Sequence, residues 1–278
     1  MRAQLFLLFV SFCFLTLGGH AGGIDIVAAE NFYGSVAQEV AGPSAHVISI
    51  MSNPNEDPHE FQPNAASAKA LLDAQIVIYN GLGYDTWVEK ILATDKKSHR
   101  LIINVAQLLG ARVGANPHLW YDPKTMPRLA DELALLLKRP QGAIAFSNSM
   151  KPLLQKIRTL QSRRGGVTVT ATEPLFNDMA AALGFQMLNE KYQYSIMNDI
   201  TPSFEETVAF EESLVTRKVK LLFQNAQTSN PSSQRMVALA QKYQIPVIYV
   251  TETQPASASS YVAWMLWELE KIDAALSK

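Results

Sequence analysis

Short apolar segments alternate with amphipathic segments from residue 24 to the end of the chain. The apolar segments are four to six residues long and rich in β-branched residues, which is typical of strands buried on both faces. Segments of helical periodicity separate most of them and end at Gly or Pro. The eight predicted strands are 24–29, 46–50, 75–79, 100–104, 167–171, 185–188, 219–224 and 246–250. This alternation predicts parallel sheets with covered faces, an α/β fold.

A longer helical pattern divides the chain into two halves of similar plan. It covers residues 142–164 and ends in Arg163-Arg164-Gly165-Gly166, cationic residues followed by the usual helix stop. We therefore predict an N-terminal α/β lobe at 22–141, a linking helix at 142–164 and a C-terminal α/β lobe at 165–278. Ligands of such sheets bind outside the carboxyl ends of the strands.

The first 21 residues have the pattern of a signal peptide. Arg2 precedes an apolar run of about 13 residues, which is too short to span a membrane. Small residues at Gly19 and Ala21 predict cleavage after Ala21. The single cysteine, Cys13, lies inside the run and is followed by Phe14, which disfavours lipidation. The mature chain would be periplasmic and free of cysteine, so thiolate metal sites and cysteine nucleophiles are excluded.

The charge balance excludes a further class of partner. The chain has 24 Lys and Arg against 25 Asp and Glu, and its formal net charge is −1. Nothing in this balance favours binding to nucleic acid. A hydrophobic content of 48% and a charged content of 18% are typical of a globular protein.

Two loops share the pattern Pro-His-x-aromatic, at residues 58–61 and 117–120. Proline stiffens each loop, and the aromatic residue can anchor it while the histidine points elsewhere. Imidazole is the commonest metal ligand among side chains, so His59 and His118 are candidate ligands. Taken singly, each is equally compatible with an ordinary surface histidine.

Two glutamates follow predicted strands in the second half. Glu173 comes directly after strand 167–171 and Thr172, and Glu252 comes after strand 246–250 and Thr251. Each alone is compatible with a helix N-terminal carboxylate or a solvated loop charge. Two imidazoles and two carboxylates at strand ends together suit Mn²⁺, Zn²⁺ or Fe²⁺. Asn225, also at a strand end, is either a hydrogen-bond donor to the ligands, an oxygen ligand or a turn residue.

The mature chain resembles periplasmic solute-binding proteins of zinc and manganese ABC importers. The resemblance rests on the His59 loop with Phe61-Gln62-Pro63, on the turn 80–83 with Trp87, and on segment 116–123 around His118. It implies a cluster A-I type solute-binding protein, with two parallel-sheet domains joined by a single long helix and a metal cleft between them.

The resemblance also implies the ligand set, two histidines from the first domain with a His or Glu and an Asp from the second. His59, His118 and Glu173 match this pattern, whereas Glu252 stands where Asp is usual. The His- and Asp-rich loop of many zinc members is missing, and only residues 104–116 fill that region. A third histidine is missing as well, and both departures point away from a dedicated zinc scavenger.

The resulting expectation is a binding protein and not an enzyme. It would act as a monomer that binds Zn²⁺ or Mn²⁺, with Fe²⁺ as a third candidate, and would deliver the cation to a membrane permease and its ATPase subunits. The alternatives are a metalloenzyme and an adhesin-like protein on the same fold. Neither His-Glu-x-x-His nor Gly-x-Ser-x-Gly occurs in the chain, and four protein ligands leave little room for a substrate.

Overall fold

The computed structural model describes residues 23–95, 99–228 and 230–277. These residues form eight strands and twelve α-helices. The predicted signal segment 1–21, its cleavage site after Ala21 and the lone Cys13 lie outside the described residues. Among the helices that the structure describes, none has both the length and the apolar character needed to cross a membrane.

The first half contains a four-stranded parallel sheet in the order β2-β1-β3-β4. The strands are Ile24–Glu30 (β1), Ala45–Met51 (β2), Ile76–Tyr79 (β3) and Leu101–Asn104 (β4). The helices of this half are Asn31–Ala41 (α1), Ala65–Asp73 (α2), Thr86–Leu92 (α3), Val105–Leu109 (α4) and Thr125–Leu136 (α5). β3 is buried along its whole length, as its unbroken apolar sequence predicts.

The second half contains a parallel sheet of the same plan, in the order β6-β5-β7-β8. The strands are Thr168–Ala171 (β5), Gln186–Leu188 (β6), Leu222–Asn225 (β7) and Val247–Val250 (β8). The helices that follow β5 are Asn177–Ala182 (α8), Glu190–Met197 (α9), Phe204–Val215 (α10), Pro231–Lys242 (α11) and Tyr261–Leu276 (α12). The prediction of two parallel-sheet α/β domains is confirmed.

Both sheets reverse their winding direction at the same place. The first strand of each half lies between the second and the third, so the connections that follow the first and the third strands run in opposite directions along the sheet. A crevice opens at the carboxyl ends of the strands at such a reversal. The end of β5 leads to Glu173, the end of β7 carries Asn225, and the end of β8 leads to Glu252.

The connection between the halves is helical but interrupted. The sequence predicts one helix over 142–164, whereas the structure has Pro140–Ser149 (α6) and Lys151–Arg164 (α7), with Met150 between them. Pro152 lies in the first turn of α7 and has no backbone N–H to donate to a carbonyl one turn earlier. The apolar periodicity continues through this point, so it does not reveal the break.

The closing helix ties the C-terminal end of the chain to the first half. α12 packs against α7, α1 and β8. Trp264 is fully buried and lies 6.0 Å from Phe32, measured between ring centroids. The Tyr261 hydroxyl donates to the backbone carbonyl of Trp120 at 2.7 Å. A single apolar core therefore runs from the first sheet into the second half beneath the crevice.

Candidate metal centre

His59 stands on a short 3-10 turn, Pro58–Glu60, in the loop after β2. The Asp57 carboxylate accepts a hydrogen bond from the His59 backbone N–H at 2.9 Å and so caps this turn. Pro58 begins the turn, and the position needs no backbone donor. The loop is thus fixed from within, and the His59 ring, which is 36% exposed, is directed toward the second half.

His118 is fully buried, and its tautomer follows from its neighbours. The Asn116 amide nitrogen donates to the carbonyl of Pro174 at 2.8 Å, so the Asn116 oxygen faces His118. That oxygen accepts from the His118 backbone N–H at 3.2 Å and from Nδ1 at 2.7 Å. Because an amide oxygen can only accept, Nδ1 carries the proton and Nε2 keeps its lone pair. Nε2 is buried and has no hydrogen-bond partner.

A buried polar network supports the backbone in front of His118. The Asn80 amide donates to the carbonyl of Pro117 at 2.9 Å and accepts from the Tyr33 hydroxyl at 2.6 Å. The Asp85 carboxylate accepts from the backbone N–H of Asn80 at 2.5 Å and of Gly81 at 2.9 Å. The turn at residues 80–83, which the sequence indicates by composition alone, therefore helps to position His118.

Glu252 brings a carboxylate of the second half to both imidazoles. Its side chain is fully buried, and Oε2 lies 3.4 Å from His59 Nε2 and 3.9 Å from His118 Nε2. The Tyr84 hydroxyl donates to the same oxygen at 2.8 Å. One ligand atom from each of His59, His118 and Glu252 lies within 4.8 Å of the other two, a spacing that can hold a metal ion.

Glu173 lies beside this group of three but outside it. The residue is 4% exposed, and its carboxylate accepts from the Thr228 hydroxyl and, at 3.1 Å, from the Asn225 amide. The same Asn225 nitrogen donates to Glu252 Oε1 at 2.6 Å. Of the four predicted ligands, the structure brings His59, His118 and Glu252 together. The fourth, Glu173, is linked to Glu252 through Asn225, which donates to both carboxylates.

The buried charges set the protonation of the group. Burial alone would lower the pKa of His59, but the hydrogen bond and charge of Glu252 raise it to about 9. Burial lowers the pKa of His118 to about 4. Burial alone would raise the pKa of Glu252, but the two imidazoles lower it to about 2. At neutral pH the Glu252 carboxylate thus faces one protonated and one neutral ring. Burial raises the pKa of Glu173.

A cavity of about 250 Å³ leads from the surface to His59 and Glu173. Its wall carries three further carboxylates and few apolar groups. The lining residues are Asp57, His59, Glu60, Glu173, Ile196, Met197, Asp199, Thr228 and Asn230. An opening whose wall carries mostly carboxylates concentrates cations.

Gln227 connects the loops that carry His59 and Glu252. Its side-chain oxygen accepts from the backbone N–H of Glu252 at 2.6 Å and of Thr253 at 3.1 Å. Its side-chain nitrogen donates to the carbonyl of Glu56 at 2.8 Å, in the loop of His59. Asn31 adds a second link across the crevice, with reciprocal bonds to the backbone of Gln254 at 2.7 and 2.9 Å. No sequence motif reveals these two amides.

Replacing Gln227 with Met keeps the size of the side chain but removes all of its hydrogen bonds. We expect metal affinity to fall by about 10- to 100-fold, the usual effect of losing a group that positions the ligands. The affinity can be measured by competition with a chelating dye. The matched control is Gln141→Met on the exposed face of α6, which should bind as the wild type does. Wild-type affinity in Gln227→Met would show that the link has no role in binding.

Comparisons with known proteins identify the family to which the chain belongs. The family model described as zinc-uptake complex component A periplasmic (ZnuA) matches residues 26–275. A putative metal-binding protein of Treponema pallidum is 23% identical over 287 residues, covering 93% of this chain and 89% of its own length.

Two solved structures share the fold. The periplasmic zinc-binding protein TroA from Treponema pallidum superposes with a TM-score of 0.73 at 18% identity, over 92% of this chain and 100% of its own. The SBP FpvC from Pseudomonas aeruginosa, in complex with Mn²⁺, also gives 0.73 at 17% identity, over 92% and 98%. At such identities the superpositions establish the fold alone. The family match covers most of the chain, and the protein therefore belongs to the ZnuA family of metal-ion ABC transporter substrate-binding proteins.

Proposed function

We propose that this protein binds a divalent transition-metal cation, Zn²⁺ or Mn²⁺, between its two halves and delivers it to the permease of an ABC importer. The observation that carries the proposal is that His118 Nε2 has no hydrogen-bond partner. The lone pair of this buried nitrogen receives no hydrogen bond, and the atom faces a second imidazole and an ionised carboxylate. A cation supplies the partner that this nitrogen lacks.

The proposed ligands are His59, His118, Glu252 and Glu173. The first three need little rearrangement, since their ligand atoms already lie within 4.8 Å of one another. Glu173 completes the set by turning one oxygen away from the Thr228 hydroxyl. The set of two nitrogens and two oxygens suits Zn²⁺, and its carboxylates also accept Mn²⁺.

The wider role follows from the family. TroA is described as zinc-binding and FpvC was solved with Mn²⁺, and both share the fold of this chain. We propose export by segment 1–21 with cleavage after Ala21, a periplasmic monomer, and partners in a permease with its ATPase subunits. We also propose that 22–141 and 165–278 act as two lobes that close on the cation, with 142–164 as the connection.

Titration of the metal-stripped protein tests the function. We expect Zn²⁺ and Mn²⁺ each to bind at one ion per chain with a dissociation constant at or below about 1 μM, as measured by calorimetry. Mg²⁺ serves as the control, because it prefers oxygen ligands and should not compete. Failure of both transition metals to bind would refute the proposal.

A further inference from the structure

Among the residues that the structure describes, Asn225 is the one amide that hydrogen-bonds to both carboxylates of the candidate metal centre. It is 3% exposed at the end of β7, and its Nδ2 donates to Glu252 Oε1 at 2.6 Å and to Glu173 Oε2 at 3.1 Å. Its Oδ1 accepts from the backbone N–H of Gln227 at 3.0 Å. That bond fixes the orientation of the amide, because a backbone N–H can face only the oxygen. Both hydrogens of the NH₂ group are therefore directed at carboxylates.

The amide occupies one oxygen of each carboxylate. In Glu252 it holds Oε1, and Oε2 faces the two imidazoles. In Glu173 it holds Oε2, and Oε1 meets the Thr228 hydroxyl, which can rotate away. Each carboxylate can thus turn a single oxygen toward a cation while it keeps its bond to Asn225.

Zn²⁺ and Mn²⁺ differ in how well they are bound by carboxylates that each offer a single oxygen. Zn²⁺ is satisfied by four ligands in tetrahedral geometry, here two nitrogens and one oxygen from each carboxylate. Mn²⁺ favours oxygen-rich, six-coordinate sites. In a buried site its additional ligands would be the second carboxylate oxygens, the two atoms that Asn225 holds. Hydrogen bonds to charged groups contribute roughly 1.5–3 kcal/mol each, so their loss opposes Mn²⁺.

We propose that Asn225 is a specificity-determining residue, which favours Zn²⁺ over Mn²⁺ by holding each carboxylate to one metal-facing oxygen. This inference rests on the proposed function and adds a preference to it. It runs against the sequence pattern, in which the missing third histidine and His-rich loop point away from a dedicated zinc protein. The hydrogen bonds around the carboxylates, and not the count of imidazoles, set the preference.

The test compares Zn²⁺ and Mn²⁺ affinities of the wild type and of Asn225→Ala, by competition with chelators of known affinity. Zn²⁺ binds more tightly than Mn²⁺ at nearly any such site, so the informative quantity is the ratio of the two dissociation constants. We expect the Mn²⁺-to-Zn²⁺ ratio to fall by about tenfold or more in the variant, the scale of effect that outer hydrogen-bond partners have. X-ray absorption should report four ligands for Zn²⁺ in both proteins, and more oxygen ligands for Mn²⁺ in the variant than in the wild type.

Two further variants complete the design. Asn225→Asp keeps the size of the side chain and the oxygen that accepts from Gln227, but lacks the NH₂ group, so the ratio should again fall even though both affinities rise. Thr228→Val removes a hydrogen bond to Glu173 without freeing the oxygen that Asn225 holds, so the ratio should stay at the wild-type value. If the dissociation constants of Zn²⁺ and Mn²⁺ change by the same factor in the Asn225 variants, the inference is overturned and the proposed function stays intact. A wild type that binds neither metal would refute the proposed function instead.

Discussion

A protein in which His59 and His118 are both replaced by alanine is expected to lose metal binding. Each imidazole supplies one of the nitrogens that the remaining carboxylates cannot replace. Removing a mere supporting group typically weakens a metal site by about 10- to 100-fold, and loss of two ligands should exceed about 10⁴-fold in total. Equilibrium dialysis with metal analysis of the retained protein measures the loss directly.

The matched control removes two other histidines, His46 and His99. Both are exposed in the described part of the chain, and His46 contacts only the exposed Asp25 carboxylate, at 3.2 Å. This variant should bind as tightly as the wild type. Both double variants should also show the circular dichroism of the wild type. Nanomolar binding that survives the loss of His59 and His118 would place the site elsewhere.

Metal binding is expected to release about one proton per cation at pH 8. The pKa of His59 lies near 9, so its ring is protonated at this pH and must lose the proton before Nε2 can bind a cation. The pKa of His118 lies near 4 and that of Glu252 near 2, so neither contributes a proton. The apparent dissociation constant should therefore rise about tenfold for each pH unit below 9, or about 100-fold from pH 8 to pH 6. Calorimetry in two buffers of different ionisation enthalpy counts the protons.

If Glu252 does not raise the pKa of His59, metal binding releases fewer protons. Two ordinary histidines, with a pKa near 6.5, would together release only about 0.06 proton at pH 8. The variant Glu252→Gln removes the charge that raises the pKa of His59, so an NMR titration of the metal-free variant should place the pKa of His59 well below that of the metal-free wild type. Absence of proton release in the wild type at pH 8 would mean that Glu252 does not hold a proton on His59.

The sequence predicts the sheets well because each strand is a short apolar run that needs no long-range information. It predicts the places of the four candidate ligands for the same reason. The two histidines lie in Pro-His loops, and the two glutamates follow strands. It does not predict helix α9, Glu190–Met197. The N-cap residue of this helix, Asn189, has a left-handed backbone conformation, and its side chain makes no capping hydrogen bond. Few side chains of the helix are buried.

The contacts that position the ligands could not be predicted from the sequence. Tyr84 lies 168 residues from Glu252 in the chain, and Gln227 lies 171 residues from Glu56. Their hydrogen bonds depend on how the two halves meet, which no local pattern encodes. The same holds for Glu252, for which the sequence alone leaves open whether its side chain reaches both imidazoles. Its longer side chain spans the crevice because Tyr84 and Asn225 hold both of its oxygens from opposite sides.

The common strand order of the two sheets has a further consequence. In the first sheet Ala28 pairs with Ile78, so two residues further on Glu30 stands beside Asn80. In the second sheet Ala171 pairs with Phe223, so the same step brings Glu173 beside Asn225.

Each half thus carries one copy of the same pair, a glutamate and an asparagine at equivalent positions of its sheet. The two copies now serve different ends. In the first half, Glu30 is fully buried, and burial together with the Asp85 carboxylate raises its pKa well above the usual range. The other copy faces the crevice, where its glutamate is a candidate ligand and its asparagine contacts both carboxylates.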